Sequence, residues 1–426
     1  MKFNTLAGWL DWQTQQHSKA IDLGLDRIRP VFSRLIEHPL AKKTVVIAGT
    51  NGKGSTVAFL EAIYVAAGYQ VGCYTSPHLL SYNERIRLSG EPVSDGLLCQ
   101  AFESVEQARE NTPLTYFEFG TLAAFDIFQR EDLDIVFLEV GLGGRLDAVN
   151  LVDADLALLT NIDLDHTDWL GDTREKIAME KIAVSRSGKP LVVVDEDLPE
   201  TAYAYCRQNN IQLLQFGEHF TYQQRNGVWQ WMAGDVRYHG LPKPALSGQH
   251  QYKNAAGALM VTTLFAKELP LSMSHLRLGL SSAILPGRFQ VVPMGENLQI
   301  FDVAHNPHGV RAFLENLQKL PKTARHLLVF GVLKDKALDD LISLLMPHVD
   351  QWYVTSIDAE RGLTSEQLQQ AIVRHGVPIR QIKCFHQPVL AYESARSALQ
   401  SHDKLLALGS FYVVSELLNT MGKMNG

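Results

Sequence analysis

Eight consecutive residues, Gly49-Thr50-Asn51-Gly52-Lys53-Gly54-Ser55-Thr56, lie between an apolar run, Thr44 to Ala48, and a segment whose Val57, Leu60, Glu61 and Tyr64 continue at helical spacing. A strand passing through a glycine-rich turn into a helix start is the setting in which backbone N–H groups converge on a phosphate. The glycines allow close approach of the backbone, Lys53 can reach β and γ phosphates, and a hydroxyl of Ser55 or Thr56 can face Mg²⁺. The strict GxxxxGK[ST] pattern is not met, because residue 48 is Ala and Gly54 stands between Lys53 and the hydroxyl. The competing reading is a plain strand-to-helix turn with a solvated lysine. Three glycines around a lysine in this context favour phosphate.

Further oxygen and nitrogen donors follow other apolar runs. Ile135-Val136-Phe137-Leu138 ends in Glu139, and a carboxylate at the carboxyl end of a parallel strand is placed to hold a metal beside a nucleotide. Leu158-Leu159-Thr160-Asn161 leads to Asp163, Asp165, His166 and Asp168, where His166 is either a metal ligand or a helix-capping residue. Ser76, in Thr75-Ser76-Pro77-His78, offers a hydroxyl after a third run; taken alone it is an ordinary turn serine. Parallel strands of one sheet can bring all of these to one rim with the loop.

The elements that must position them are legible as Val/Ile/Leu runs separated by helical patterns: Thr44 to Ala48, Val71 to Tyr74, Asp134 to Leu138, Leu156 to Thr160 and Leu191 to Val194. Continuous apolar runs predict a parallel sheet covered on both faces. Between Phe220 and Tyr238 polar and aromatic residues alternate around Asn226-Gly227, which predicts a small antiparallel hairpin appendage. Helix breakers coincide in Ile284-Leu285-Pro286-Gly287-Arg288, and a second series follows at Leu298 to Val303, His326 to Phe330, Trp352 to Thr355 and Lys404 to Leu408. The fold class is therefore α/β: an ATPase-type parallel-sheet domain over residues 1–288, with the appendage, and a Rossmann-like α/β domain over 289–426.

A chain of 426 residues, 46% apolar and 20% charged with a formal charge of −7, is that of a globular protein of two or three domains. No basic excess points to nucleic acid or an anionic membrane, and no apolar run reaches spanning length. Cys73, Cys99, Cys206 and Cys384 stand singly, so reduced thiols and a cytoplasmic location are expected.

Six motifs in order resemble the folylpolyglutamate synthase branch of the Mur ligase superfamily: residues 49–55, Thr75-Ser76-Pro77-His78, Leu-Glu-Val-Gly-Leu-Gly-Gly-Arg-Leu-Asp at 138–147, Asp165-His166-Thr167, Pro286-Gly287-Arg288 and Asp-Val-Ala-His-Asn-Pro at 302–307. In that family ATP phosphorylates a carboxylate, an amino acid's amine attacks the acyl phosphate, and an amide remains with ADP and phosphate. The resemblance implies that Gly49, Thr50, Asn51, Gly52, Lys53, Gly54, Ser55 and Thr56, with Asn254, Arg288 and Asp302, bind ATP. It implies one Mg²⁺ at Ser76 and Glu139 and a second at His166, with Lys181 as a CO₂-derived carbamate that anchors or adjoins the second metal. His305 and Ser410 are implied for L-glutamate, although Ser410 reads equally as a helix N-cap.

Two segments resemble the bacterial bifunctional type, which also makes dihydrofolate from dihydropteroate: residues 21–27 and 114–121. Asp22, Leu23, Gly24, Leu25, Thr115, Tyr116, Phe117, Glu118, Leu146, Asp147 and Ala148 are the expected pterin contacts, with flat apolar surfaces and a carboxylate for the ring nitrogens. The competing reading makes the aromatics of 116–119 core residues. The substrates implied are dihydropteroate, tetrahydrofolate and L-glutamate, handled by a monomer across a cleft between the two domains. A synthase that only elongates folates is the nearest alternative. A peptidoglycan ligase is disfavoured by the mere 48 residues before Gly49, a lone ATPase switch by the second α/β domain, and a dehydrogenase by the absence of GxGxxG at 49–54.

Overall fold

The computed structural model describes residues 2–425 apart from 18, 20, 226–227, 322–324 and 360. It forms two compact units, Met1–Ala245 with Gln251–Ile284, and Leu246–His250 with Leu285–Gly426. The break at Leu285 comes just ahead of Pro286-Gly287, four residues before the 288/289 boundary read from the sequence.

The first unit is built on an eight-stranded sheet of β1 (Lys43–Ala48), β2 (Val71–Tyr74), β3 (Ile86–Leu88), β4 (Glu91–Pro92), β5 (Ile135–Glu139), β6 (Leu156–Leu159), β7 (Pro190–Val193) and β8 (Gln212–Gln215). The order is β4-β3-β2-β5-β1-β6-β7-β8. Strands β2, β5, β1, β6, β7 and β8 are parallel, and β3 and β4 add an antiparallel edge. The inner strands are buried on both faces, which is why they read as unbroken apolar runs. Four neighbouring strands, β2, β5, β1 and β6, thus deliver residues 75–76, 139, 49–52 and 160–161 to one rim.

Three strands, β9 (Phe220–Arg225), β10 (Val228–Ala233) and β11 (Val236–Leu241), form the appendage in the order β11-β10-β9. The expected turn at Asn226-Gly227 lies outside the described residues; the strands flanking it pair antiparallel. Trp231 fastens the appendage to the helix Gln249–Leu264, its Nε1 donating to the Ala256 carbonyl at 3.1 Å. At the N-terminus, helix Leu6–Gln13 sets Trp9 and Trp12 against Phe102 and Phe119 in an aromatic cluster with ring centroids 5.6–6.3 Å apart.

The second unit has a six-stranded sheet of β12 (Gln290–Met294), β13 (Asn297–Phe301), β14 (His326–Phe330), β15 (Gln351–Thr355), β16 (Ile382–Phe385) and β17 (Lys404–Leu408), ordered β12-β13-β17-β14-β15-β16. All pairings are parallel except β12 with β13. Its own core includes Phe313, Phe330, Trp352 and Leu406.

Helix Lys53–Ala66, which begins at the glycine-rich loop, is held from two sides. Glu61 takes a bidentate contact from Arg87 of β3, closest at 2.8 Å, and Ile63 packs on Gly279 of helix Met273–Ser282. A Cβ at residue 279 would fall 2.4 Å from the Ile63 Cα and 2.5 Å from its N, atoms that cannot rotate away. Gly279→Ala is expected to cost about 1–3 kcal/mol by overpacking. Gly96→Ala, at an exposed helical position with only the Ser94 hydroxyl 3.9 Å away, is expected to be neutral or stabilising. Urea midpoints of the two variants check this; equal midpoints would refute the tight helix contact.

Candidate active site

The glycine-rich loop is braced before any ligand arrives. Thr50 N donates to the Asn161 carbonyl at 2.8 Å and Asn51 N to the Asn161 Oδ1 at 2.8 Å, while Thr160 Oγ1 donates to the Asn51 carbonyl at 2.7 Å. Gly49 has φ +143°, and a Cβ there would overlap the Thr160 hydroxyl at 1.8 Å, so only glycine lets β1 and β6 hold the loop between them. Helix Lys53–Ala66 starts after Gly52 (φ +88°) with no side-chain cap, leaving its first N–H groups directed at the loop. Thr56 Oγ1 donates back to the Gly52 carbonyl at 3.0 Å, and Ser55 Oγ accepts from Gln251 Nε2 at 3.2 Å. Gln251 Oε1 accepts in turn from Asn254 Nδ2 at 3.0 Å, which brings the expected nucleotide contact Asn254 to this loop.

Two lysines meet at one carbonyl. Lys53 Nζ donates to Gly49 O at 2.9 Å and to Thr50 O at 3.2 Å, and Lys181 Nζ reaches the same Gly49 O at 3.2 Å. Lys181 sits on helix Arg174–Ile182 with 5% exposure, so it is no solvated surface charge. Gly144 makes this approach possible: a Cβ there would lie 2.7 Å from the Glu180 carbonyl and 3.2 Å from the Lys181 Cα. Burial, reinforced by repulsion from Lys53, lowers the Lys181 amine from 10.5 to about 7. A substantial neutral fraction at neutral pH makes this amine a nucleophile.

Glu139, the last residue of β5, is 5% exposed and accepts from Ser76 N at 3.3 Å. A buried carboxylate with a serine beside it is an oxygen donor set suited to Mg²⁺, which takes one or two protein ligands and completes its shell with phosphate oxygens and water. Among the described residues no group of three or more His, Cys, Asp and Glu side chains forms a metal cluster. His166 precedes the short helix Thr167–Leu170 in a left-handed conformation (φ 52°), without a side-chain capping bond.

Of the residues expected for the pterin, Asp147 is wholly engaged by the backbone: Leu142 N at 2.8 Å and Val149 N at 2.9 Å donate to its two oxygens. Burial raises its carboxyl to about 6 despite those bonds. Glu118 accepts from Thr115 N at 2.8 Å in a capping box and from Arg27 at 2.6 Å, so both oxygens have partners within the fold. Asp22 is ion-paired with Arg27 at 3.3 Å and with His17 and Lys19 at 3.4 Å. Phe119 is core, whereas Tyr116 and Phe117 are half-buried, Phe117 with its ring against Gly141. Leu23, Leu25 and Leu146 are half-buried, Gly24 has a positive φ of +154°, and Ala148 is buried.

In the second unit, Asp302 follows β13, accepts from Phe289 N at 2.9 Å and Ala304 N at 2.8 Å, and is raised by burial to about 6. Arg288 lies over the Phe411 ring at 5.1 Å, and His305 stands 6.1 Å from the same ring with Nδ1 on the Val303 carbonyl at 2.8 Å. Ser410 accepts from Val413 N at 3.2 Å, the N-cap role weighed for it. Sequence reasoning passed over the bracing residues Thr160, Asn161 and Gln251; the polar pair directly after the β6 run was the available signal.

The chain is similar to known proteins over nearly its whole length. A family model described as Mur ligase middle domain matches residues 47–262, and one described as Mur ligase, glutamate ligase domain matches residues 287–411. The chain is 40% identical over 416 residues to the dihydrofolate synthase/folylpolyglutamate synthase of Escherichia coli, covering 98% of this chain and 95% of that protein. It is similar to the solved structure of E. coli FolC in complex with DHPP and ADP, with TM-score 0.92, 40% identity and 99% of each chain covered. It is also similar to a bifunctional folylpolyglutamate synthase/dihydrofolate synthase solved with Mn, AMPPNP and L-glutamate bound, with TM-score 0.89, 40% identity and 98% of each chain covered.

The lowered Lys181 amine has a consequence for stability. Between about pH 7 and pH 10.5 the unfolded chain holds this proton and the folded chain releases it, so stability rises with pH across that window and the penalty is greatest at its lower end. Lys181→Met is expected to flatten the rise in carbonate-free buffer and to raise stability at pH 7, checked by denaturant midpoints from pH 7 to 10. An unchanged slope would mean a hydrated, charged amine.

Proposed function

The chain belongs to the dihydrofolate synthase/folylpolyglutamate synthase group of the Mur ligase family, and we propose on that premise that it joins L-glutamate to dihydropteroate, giving dihydrofolate, and to tetrahydrofolates, giving polyglutamates. It is an ATP-dependent ligase. The observation that supports this most directly is the rim of the first sheet, where the braced loop, two lysines on one carbonyl and the Glu139–Ser76 pair lie together. The related structures, with ADP and DHPP in one and Mn, AMPPNP and L-glutamate in another, carry the ligands such a rim would take.

The chemistry proceeds in two displacements. A carboxylate oxygen of the acid substrate attacks the γ phosphorus of ATP and ADP leaves; the glutamate amine then attacks the acyl carbon and inorganic phosphate leaves. Residues 49–56 hold the phosphates through backbone N–H groups, and Lys53 neutralises charge on the transferring phosphoryl group. Glu139 and Ser76 are the assigned holders of one Mg²⁺ and His166 of a second, and Mg²⁺ supplies the positive charge that lets two anions approach. Asn254, Arg288 and Asp302 are assigned to the nucleotide, and His305 and Ser410 to the glutamate. Asp22 to Leu25, Thr115 to Phe117 and Leu146 to Ala148 are assigned to the pterin. Glu118 is assigned with them, its carboxylate oriented by Arg27 and the Thr115 N–H. The four free thiols support a reducing, cytoplasmic setting.

ATP turnover by the purified protein is expected to require both an acid substrate, dihydropteroate or tetrahydrofolate, and L-glutamate. Lys53→Ala is expected to lower kcat on the order of 10² to 10³ or more. Turnover indifferent to both co-substrates would end the ligase reading.

We also propose that Lys181 captures CO₂ as a carbamate, the nitrogen forming a bond to carbon with loss of one proton. Its burial at 5% exposure and its position 3.2 Å from Gly49 O support an anionic group there, facing Lys53 and able to adjoin a metal. Lys181→Ala is expected to fold, to be nearly inactive, and to regain part of its activity with added acetate or formate. A ¹³CO₂ NMR spectrum lacking a carbamate resonance in the wild type, with ATP and Mg²⁺ present, would refute it.

A further inference from the structure

Two half-buried arginines of the first unit, Arg87 and Arg27, meet carboxylates, and the buried Arg85 does not. Arg87 pairs with Glu61 at 2.8 Å and Arg27 with Glu118 at 2.6 Å. Arg85, only 9% exposed, has no carboxylate within ion-pair distance among the described residues. The adjacent Glu84 is turned away, its oxygens accepting from the N–H groups of Leu79, Leu80 and Ser81 at 2.7–2.8 Å. The guanidinium lies instead among neutral groups. Its Nε donates to His78 Nδ1 at 2.8 Å, and its carbon lies 5.3 Å from the Tyr82 ring centroid and 5.7 Å from that of Tyr116. Because arginine only donates, His78 Nδ1 carries a lone pair, and the imidazole is neutral with its proton on Nε2.

A guanidinium removed from water without a counter-charge is costly, and ring faces compensate it only in part. Such an arrangement is stable when an anion completes it. The location limits which anion. The Arg85 carbonyl accepts from Thr75 N at 2.8 Å, next to Ser76, whose own N reaches Glu139 at 3.3 Å. On its other side Tyr116 begins helix Tyr116–Arg130, followed by Phe117 against Gly141. A planar fork beside two aromatic rings fits a carboxylate borne on an aromatic ring: the fork accepts both oxygens and the rings cover the aryl group.

We infer that Arg85, oriented by His78, is the cation that receives the aromatic carboxylate of the acid substrate, and so selects an acid over its uncharged analogue and holds it for phosphorylation. The inference deepens the ligase reading and rests on it. Holding the carboxylate on a fixed positive charge also reduces its repulsion from the γ-phosphate as the two approach. Arg85 is thus a binding and specificity residue, and His78 a positioning residue.

The test pairs two ligands with three proteins. Equilibrium binding of dihydropteroate and of its decarboxylated counterpart, the same pterin linked to aniline, is measured by titration calorimetry on wild type, Arg85→Gln and His78→Ala, with ADP as an independent ligand. The wild type is expected to prefer the acid by about 10- to 100-fold, the range for hydrogen bonds to a charged group. Arg85→Gln is expected to bind both pterins equally, at the affinity the wild type shows for the decarboxylated one, with ADP affinity unchanged. His78→Ala is expected to narrow the preference, and it carries the test alone if Arg85→Gln does not fold. A preference retained in the folded variants, a loss in ADP affinity instead, or a wild type indifferent to the carboxylate would each overturn the inference. A wild type that binds neither pterin would overturn the ligase reading itself.

Discussion

Two lysine nitrogens share the carbonyl of Gly49, and the site is organised around that convergence. Like charges this close inside a protein repel strongly unless one is neutral or an anion intervenes. The fold answers in part by keeping the Lys181 amine near its midpoint at neutral pH, through burial and the nearness of Lys53. A phosphate on the loop, as we propose, supplies the remainder of the answer, and the loop is braced beforehand as such a role requires: a donor array that must face an anion cannot also be free to fold away from it.

That rigidity comes from strand ends. Gly49 extends β1 and Thr160 extends β6, and the absent Cβ of the one makes room for the hydroxyl of the other. Asn161 then supplies both its backbone and its side-chain oxygen to the loop. Next door, β5 ends in Glu139 and is followed by the turn in which Asp147 gathers backbone N–H groups, allowing Gly144 to touch the helix that carries Lys181. Each bond has the same effect: it converts a parallel-sheet edge, whose loops are normally adaptable, into a fixed surface.

The parts of this that were legible in the sequence are those whose signal is local. Runs such as Val45-Val46-Ile47 and Phe137-Leu138 announced inner strands because nothing but a doubly covered sheet would use them. Short or polar edges did not announce themselves: β3 and β4 span three and two residues, and β8 is Gln212–Gln215 with a glutamine at each end. Strand β16, with Lys383 at its second position, was silent for the same reason. Thr115 and Glu118 stand at capping-box spacing, and the structure forms that box, with the carboxylate read as a pterin contact also held by Arg27. Lys181 was the opposite case. Its helix looks like a surface helix, and its burial arises from Gly144, distant in sequence, so only the family resemblance pointed to it.

The distribution of charge separates structural from functional residues more sharply than burial does. Where a positive charge serves the fold, its partner is built in, as for Arg87 with Glu61, Arg27 with Glu118, and Arg325 with Asp403 at 2.5 Å. Lys181, against a carbonyl and a second lysine, and Arg85, among phenols and an imidazole, are not finished in this way. An incomplete cation lowers the stability of the empty protein and is relieved by anionic ligands, so binding free energy and folding free energy are linked through these side chains. A neutral residue of similar volume at either position would suit the empty fold better, so what these two cations offer is an anion site rather than stability.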